Sequence, residues 1–189
     1  MNKNQKVWIA VGVAAGLCLV ACVVGFFVLR QLGSQLVNLD PADVQAVSDK
    51  IAQYDVPPGY QALMSMSFPG LYDVVALSST DSSSMMIMLM QFTSNMGMTQ
   101  EQMQEQVRQS FEQQSGQRGI QMQVVETREE TIRGETVTIT ISEGTSEGDT
   151  LRQWMTVFKG NGGPTVLMIQ GSDDDWDEEL IVNFIHSIR

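Results

Sequence analysis

Residues 135–143, ETVTITISE, are the stretch that decides the fold. Val137, Ile139 and Ile141 alternate with threonines, which is the period-two pattern of a strand with one buried face. That face needs an apolar cover. Residues 176–188 supply one, because their apolar side chains recur at helical spacing and predict an amphipathic closing helix.

Strand patterns extend to both sides of this segment. Turn residues rich in glycine, proline and serine separate the apolar runs, as expected for hairpins. The predicted strands are residues 60–68, 72–78, 85–92, 121–132, 135–143, 151–159 and 165–170. Helices are predicted over residues 41–54, with Asp40 as N-cap and Pro41 at the first position, and over residues 99–114.

The order of these elements indicates the fold class. From residue 60 it is β-β-β-α-β-β-β-β-α, which lacks the β-α-β alternation of a parallel sheet. We therefore expect an α+β domain with one largely antiparallel sheet covered by helices and preceded by one transmembrane helix.

Two segments carry a family resemblance. Residues 56–60, VPPGY, resemble the opening turn, and residues 179–188, ELIVNFIHSI, the closing helix, of the exported αβα-sandwich domains of the Mog1/PsbP-like superfold. The resemblance covers about residues 55–189. It implies a non-enzymatic binding or assembly factor, and it transfers no functional residue to this chain.

An uncharged run at residues 7–29, VWIAVGVAAGLCLVACVVGFFVL, predicts a membrane anchor. As a helix it would be about 35 Å long, enough for a hydrocarbon core of about 30 Å. Lys3 and Lys6 precede the run and only Arg30 closely follows it, which favours an exported carboxyl-terminal domain. We expect a single-pass signal-anchor protein of the cell membrane, with residues 1–6 a cytoplasmic tail, 30–54 a stalk and amphipathic helix, and 55–189 the extracytoplasmic domain.

Two alternatives concern the same run. Residues 19–22, LVAC, resemble a lipobox, in which Cys22 would be lipidated, but the apolar run continues beyond Cys22 and favours an intact spanning helix. Gly12 and Gly16 form a G-x-x-x-G pattern that would allow two helices to pack as a homodimer. Because glycine is frequent in membrane helices anyway, self-association is the weaker interpretation.

Composition excludes several function classes. The chain has 22 Asp and Glu against 11 Lys and Arg, a net charge of −11, which argues against a nucleic-acid partner. Cys18 and Cys22 both lie in the apolar run, so the exported domain has no thiol nucleophile, disulfide or Cys-ligated zinc. His186 is the only histidine and ends an amphipathic helix, where a surface role suffices. We expect no cofactor, no catalytic residue and no enzymatic activity.

Methionine is abundant, with 13 residues, and Met86, Met88 and Met90 form an M-x-M repeat. Thioethers are soft ligands, so Cu(I) binding through these three residues is the alternative function. Core packing is the competing explanation, because apolar residues at every position of this segment predict a central strand that is covered on both faces. A third interpretation is an adaptable methionine-lined binding surface around Met96, Met98 and Met103.

Three further patterns have structural explanations. The acidic run at residues 173–179, DDDWDEE, is explained by solvation and by Asp174 or Asp175 capping the last helix. Residues 160–163, GNGG, predict a hairpin turn, and the charges at residues 126–133 a protected sheet edge. The sequence thus predicts a membrane-tethered, non-catalytic extracytoplasmic module that binds an unknown protein or small ligand.

Overall fold

One antiparallel sheet organises the computed structural model, which describes residues 37–81, 84–93, 99–117, 120, 122–146 and 148–189. The predicted transmembrane helix at residues 7–29, with Gly12, Gly16 and Cys22, lies outside these residues, as do Met96 and Met98. Within the part of the chain that the structure describes, no helix is both long and apolar enough to span a bilayer.

The strands and helices follow the predicted order closely. The strands are β1 (Val37–Asn38), β2 (Tyr60–Phe68), β3 (Tyr72–Ser79), β4 (Met86–Phe92), β5 (Gln123–Ile132), β6 (Glu135–Ser146), β7 (Asp149–Lys159) and β8 (Pro164–Ser172). The helices are α1 (Pro41–Ile51), α2 (Gln100–Gln117) and α3 (Glu178–Ser187), with a 3₁₀ turn at Asp173–Asp175.

Seven of these strands lie in the spatial order β2-β3-β4-β8-β7-β6-β5. Each neighbouring pair is antiparallel. Two meanders, β2 to β4 and β5 to β8, therefore meet where the central strands β4 and β8 pair. The predicted α+β class with one antiparallel sheet is confirmed.

Helices α1 and α3 cover one face of the sheet. Val137, Ile139 and Ile141 of β6 are at most 5% exposed and belong to the main core, as their alternation predicts. Helix α3 adds Ile181, Phe184 and Ile185, and its C-cap Ile188 is also in this core. Helix α1 adds Val44, Val47 and Ile51. Helix α1 thus packs in the core of the compact unit formed by Asn38–Arg189.

Helix α2 lies on the opposite face. Its Met103 packs with Met155, Val157 and Val166 of β7 and β8 in a second, smaller core cluster. The Gln104 amide also donates to the backbone oxygen of Thr138 on β6 at 3.1 Å. The sheet therefore has helices on both of its faces, with α2 over strands β6 to β8.

The helix ends test the predicted caps. Asp40 caps α1, accepting from the Ala42 backbone nitrogen at 2.9 Å, as predicted. The prediction that Asp174 or Asp175 caps the last helix is wrong, because Asp177 is the N-cap of α3. The helix starts later than predicted because residues 173–175 form a separate 3₁₀ turn and Trp176 has extended backbone. The Trp176 ring packs 5.9 Å from the ring of Trp154.

Candidate functional site

An extended segment, residues 53–58, crosses from the end of α1 to the start of β2, and we call it the proline strap. Gln53 and Arg189 exchange backbone hydrogen bonds of 3.1 and 2.8 Å. The Asp55 backbone nitrogen donates to Ser187 Oγ at 3.1 Å. Pro57 and Pro58 favour extended backbone before each of them. These ties hold the strap beside the carboxyl-terminal end of α3.

A groove of about 410 Å³ lies between the proline strap and α3, and we call it the strap groove. Half of the residues that line it are apolar, and the other half carry carboxylate, amide or hydroxyl groups. The lining residues are Asp55, Val56, Pro57, Pro58, Asp177, Glu179, Leu180, Asn183, Phe184 and Ser187. The groove is therefore more polar than a typical small-molecule site, which is lined mainly by apolar side chains.

The strap groove is acidic, with carboxylates from Asp55, Asp177 and Glu179 among the described residues that line it, and no Lys or Arg. Asp55 Oδ1 lies 2.9 Å from Arg189 Nη2, and this hydrogen bond and charge hold the pKa of Asp55 below its usual range. Asp177 Oδ1 accepts from the Leu180 backbone nitrogen at 2.9 Å as the cap of α3. Because Arg189 compensates Asp55, the free negative charge of the groove comes from Asp177 and Glu179, and together with the apolar surface it suits a cationic and partly apolar guest.

A smaller pocket of about 320 Å³ lies on α1 and shares Val56 and the proline strap with the groove. Its lining is mainly polar, and Ser48 Oγ donates to the Tyr54 hydroxyl at 2.8 Å inside it. Burial raises the pKa of Tyr54. Tyr54 also packs edge-on against Phe184, with ring centroids 5.4 Å apart, so the strap is anchored to the core at this point.

The M-x-M strand lies at the centre of the sheet. Met86, Met88 and Met90 share one face and are partly exposed, while Ile87 and Leu89 are buried on the other. The predicted alternation is confirmed, and the methionines lie on the face that bears α2.

Strand register brings methionines of other strands beside this one. Met88 is paired with Met168 of β8, and Met168 with Met155 of β7. Met103 of α2 belongs to the same cluster as Met155. We call Met88, Met168 and Met155 the cross-strand methionine row.

The only histidine has a surface position. His186 Nε2 lies 2.9 Å from Glu130 Oε2 of the edge strand β5, and its side chain is half exposed. Arg128 of β5 similarly pairs with Glu178 at the start of α3, at 2.7 Å. These two pairs link α3 to the sheet edge, where the sequence pattern predicted a protected edge.

The acidic run at residues 173–179 is divided among separate structural contacts. Asp173 pairs with Arg152 at 2.9 Å, and Asp175 accepts from the backbone nitrogen of Ser84 at 2.7 Å. Asp177 caps α3. In the described ranges, no group of three or more His, Cys, Asp or Glu side chains is placed to hold a metal ion.

The glycine-rich segment at residues 160–163 is the turn between β7 and β8, as predicted. Asn161 donates from its backbone to Ile51 O at 2.8 Å, and Gly162 donates to the buried Gln91 Oε1 at 2.7 Å. The turn therefore docks on α1 and β4, and its glycines serve close packing.

Sequence patterns missed both arrangements. The VPPGY pattern at residues 56–60 resembles an opening turn and its two prolines favour extended backbone, but neither feature predicts a groove against α3. Met155 and Met168 are single methionines in their own strands, so only the register associates them with Met88.

Comparisons with known proteins give a likeness of fold at most. No family model matches the chain, and no curated protein does. The solution structure of cyanobacterial PsbP (CyanoP) from Synechocystis has a TM-score of 0.43 at 11% identity, covering 74% of this chain and 92% of that one. A protein of unknown function from Pseudomonas aeruginosa, PA94, has a TM-score of 0.38 at 8% identity, covering 58% and 74%. For the predicted PsbP-like resemblance, the comparisons give only a weak similarity of fold.

Proposed function

We propose that this chain is a membrane-tethered, non-catalytic extracytoplasmic module that binds a basic, partly apolar peptide segment of a protein partner in the strap groove. The observation that carries the proposal is the lining of that groove, which combines apolar side chains with three carboxylates and, among the described residues, has no basic one. The predicted anchor at residues 7–29 would hold the domain beside the bilayer.

Charge complementarity selects the occupant. A peptide lysine or arginine beside Glu179 or Asp177 gains a charge pair, and its apolar neighbours can cover Val56 and Leu180. Exposed charge pairs contribute about 0.2–1 kcal/mol each, so we expect modest affinity that falls as salt is added. An acidic peptide would meet repulsion in the same groove.

Peptide titration tests this function directly. The full chain in a non-ionic detergent is titrated calorimetrically with a synthetic peptide of alternating lysine and leucine, and with the matching peptide of glutamate and leucine. We expect binding of the first peptide, weakened by salt, and none of the second.

Two variants locate the binding in the groove. Glu179→Gln removes a charge and Val56→Ser removes apolar surface, and each is expected to weaken binding about two- to five-fold. Asp174→Asn changes an exposed carboxylate outside the groove lining and is the matched control. The proposal is refuted if the basic peptide does not bind, or if only the control variant changes its affinity.

Membrane attachment has its own test. Mass spectrometry of the mature amino terminus should find Met1 or Asn2, which keeps the helix at residues 7–29. A diacylated Cys22 at the terminus would replace the spanning helix by a lipid anchor, and a terminus beyond residue 30 would contradict the tether.

A further inference from the structure

Methionines on the α2 face of the sheet form a row across three strands rather than along one. Met88, Met168 and Met155 occupy directly paired positions on β4, β8 and β7. Met103 of α2 packs in the cluster that contains Met155. Three thioethers from three strands therefore lie at paired positions, and Met103 of α2 packs at the β7 end of this row.

Spacing favours this row over the M-x-M repeat. Directly opposite side chains in an antiparallel pair have Cβ atoms about 4.5–5.5 Å apart, whereas two residues on one face of one strand are about 6.6 Å apart. Methionine has three rotatable bonds, so neighbouring sulfurs can turn toward a common point.

The other two methionines of the repeat have no methionine at a paired position, although Met90 packs against the cluster that contains Met103 and Met155. Met86 is paired with Ser78 and Gln170, and Met90 with Val74 and Val166. Of the three M-x-M residues, only Met88 has a methionine directly opposite.

We propose that Met88, Met155 and Met168 form a Cu(I) site, with Met103 as a fourth thioether ligand. Cu(I) is a soft cation that thioethers select over hard cations, and it binds without any change of oxidation state. Met155, Met168 and Met103 are at most 4% exposed, while Met88 is partly exposed, so the ion enters beside Met88. This site lies on the α2 face and is independent of the proposed peptide groove.

Competition against a chromophoric Cu(I) chelator such as bicinchoninate tests the site. The full chain is titrated without oxygen in non-ionic detergent, in a Cys18→Ala, Cys22→Ala background, because both thiols would otherwise compete for Cu(I). We expect one equivalent of Cu(I) to be withheld from the chelator.

Substitution by the similarly sized leucine identifies the ligands. Met88→Leu, Met155→Leu and Met168→Leu should each lower Cu(I) affinity about ten-fold or more, by analogy with the loss of other metal-site groups. Met86→Leu is the matched control, because Met86 lies on the same face of β4 but is paired with Ser78 and Gln170, and it should change the affinity less than about two-fold.

Thermal unfolding of each variant separates lost ligands from lost structure, and Cu X-ray absorption of the background protein should show sulfur-only coordination. The proposal is overturned if the background protein withholds no Cu(I), or if Met86→Leu loses as much affinity as the row variants. Core packing alone would then explain the row.

Discussion

Gly160 lies where the β7–β8 turn meets α1 and β4, and its replacement by alanine tests that packing. A Cβ at this position would lie 2.9 Å from Ile51 O and 2.8 Å from Gln91 Oε1, and it would also overlap Thr165 Oγ1. Contacts under 3.0 Å are essentially never made by real Cβ atoms. Gly160→Ala therefore requires the turn, the helix end or both to move.

The cost follows from what would have to move. Gln91 and Thr165 are at most 1% exposed, so neither can swing into solvent, and overpacking of this kind costs about 1–3 kcal/mol. Ile51 O accepts from the Asn161 backbone, and losing that hydrogen bond adds about 1 kcal/mol. The sum is about 2–4 kcal/mol, or a fall in Tm of roughly 4–16 °C for a domain of this size.

Denaturant and thermal unfolding of the variant measure this loss. Gly134→Ala is the matched control, because Gly134 has a φ of +78° with nothing within 4 Å of the added Cβ. Its cost is limited to about 1 kcal/mol of backbone strain. A Gly160→Ala protein as stable as Gly134→Ala would refute the close packing of the turn.

Three further predictions concern single side chains. Asp177→Ala removes the N-cap of α3 and should lower the free energy of unfolding by about 1 kcal/mol in urea titrations. Asp174→Ala is the control and should change the free energy of unfolding little, so equal losses in the two variants would contradict the cap. Ser65 Oγ is buried without a hydrogen-bond partner among the described residues, so Ser65→Ala should leave stability unchanged or raise it by about 1 kcal/mol, and a clear loss would reveal a missed partner. Because Arg189 lowers the pKa of Asp55, their pair stabilises the fold at neutral pH and loses this effect as the pH falls from about 4 through the lowered pKa. Asp55→Asn should remove that part of the acid dependence of stability, and an unchanged profile of stability against pH would contradict the pairing.

The strands and helices could be predicted from the sequence because hydrophobic periodicity and capping residues act between neighbours in the chain. Val137, Ile139 and Ile141 alternate because one face of β6 is buried. Helix α1 begins at Asp40 and Pro41 because Asp40 accepts from a free amide of the first turn and Pro41 has no N–H to leave unpaired. The start of α3 was misplaced because several acids could cap it. In the structure Asp177 is the cap, and its Oδ1 accepts from the Leu180 backbone nitrogen at 2.9 Å.

The strap groove could not be read from the sequence. It depends on the contact between Asp55 and Ser187, which lie 132 positions apart in the chain, and on the backbone exchange between Gln53 and Arg189. No local preference encodes contacts of that separation. The acidic character of the groove, in contrast, agrees with the net charge of −11, because a surface groove of a strongly acidic protein is expected to be negatively charged.

Methionine is distributed unequally between the two faces of the sheet. In the described residues, the main core cluster has Met85 as its single buried methionine, whereas Met103 and Met155 are two of the four buried residues in the α2-face cluster. Leucine fills a similar volume and usually replaces methionine at small cost, whereas only methionine offers a thioether ligand. Met155→Leu and Met168→Leu are therefore expected to cost less than about 1.5 kcal/mol in urea unfolding while lowering Cu(I) affinity. If both variants unfold much more easily than this, the methionines are required for packing, and their gathering on this face needs no ligand to explain it.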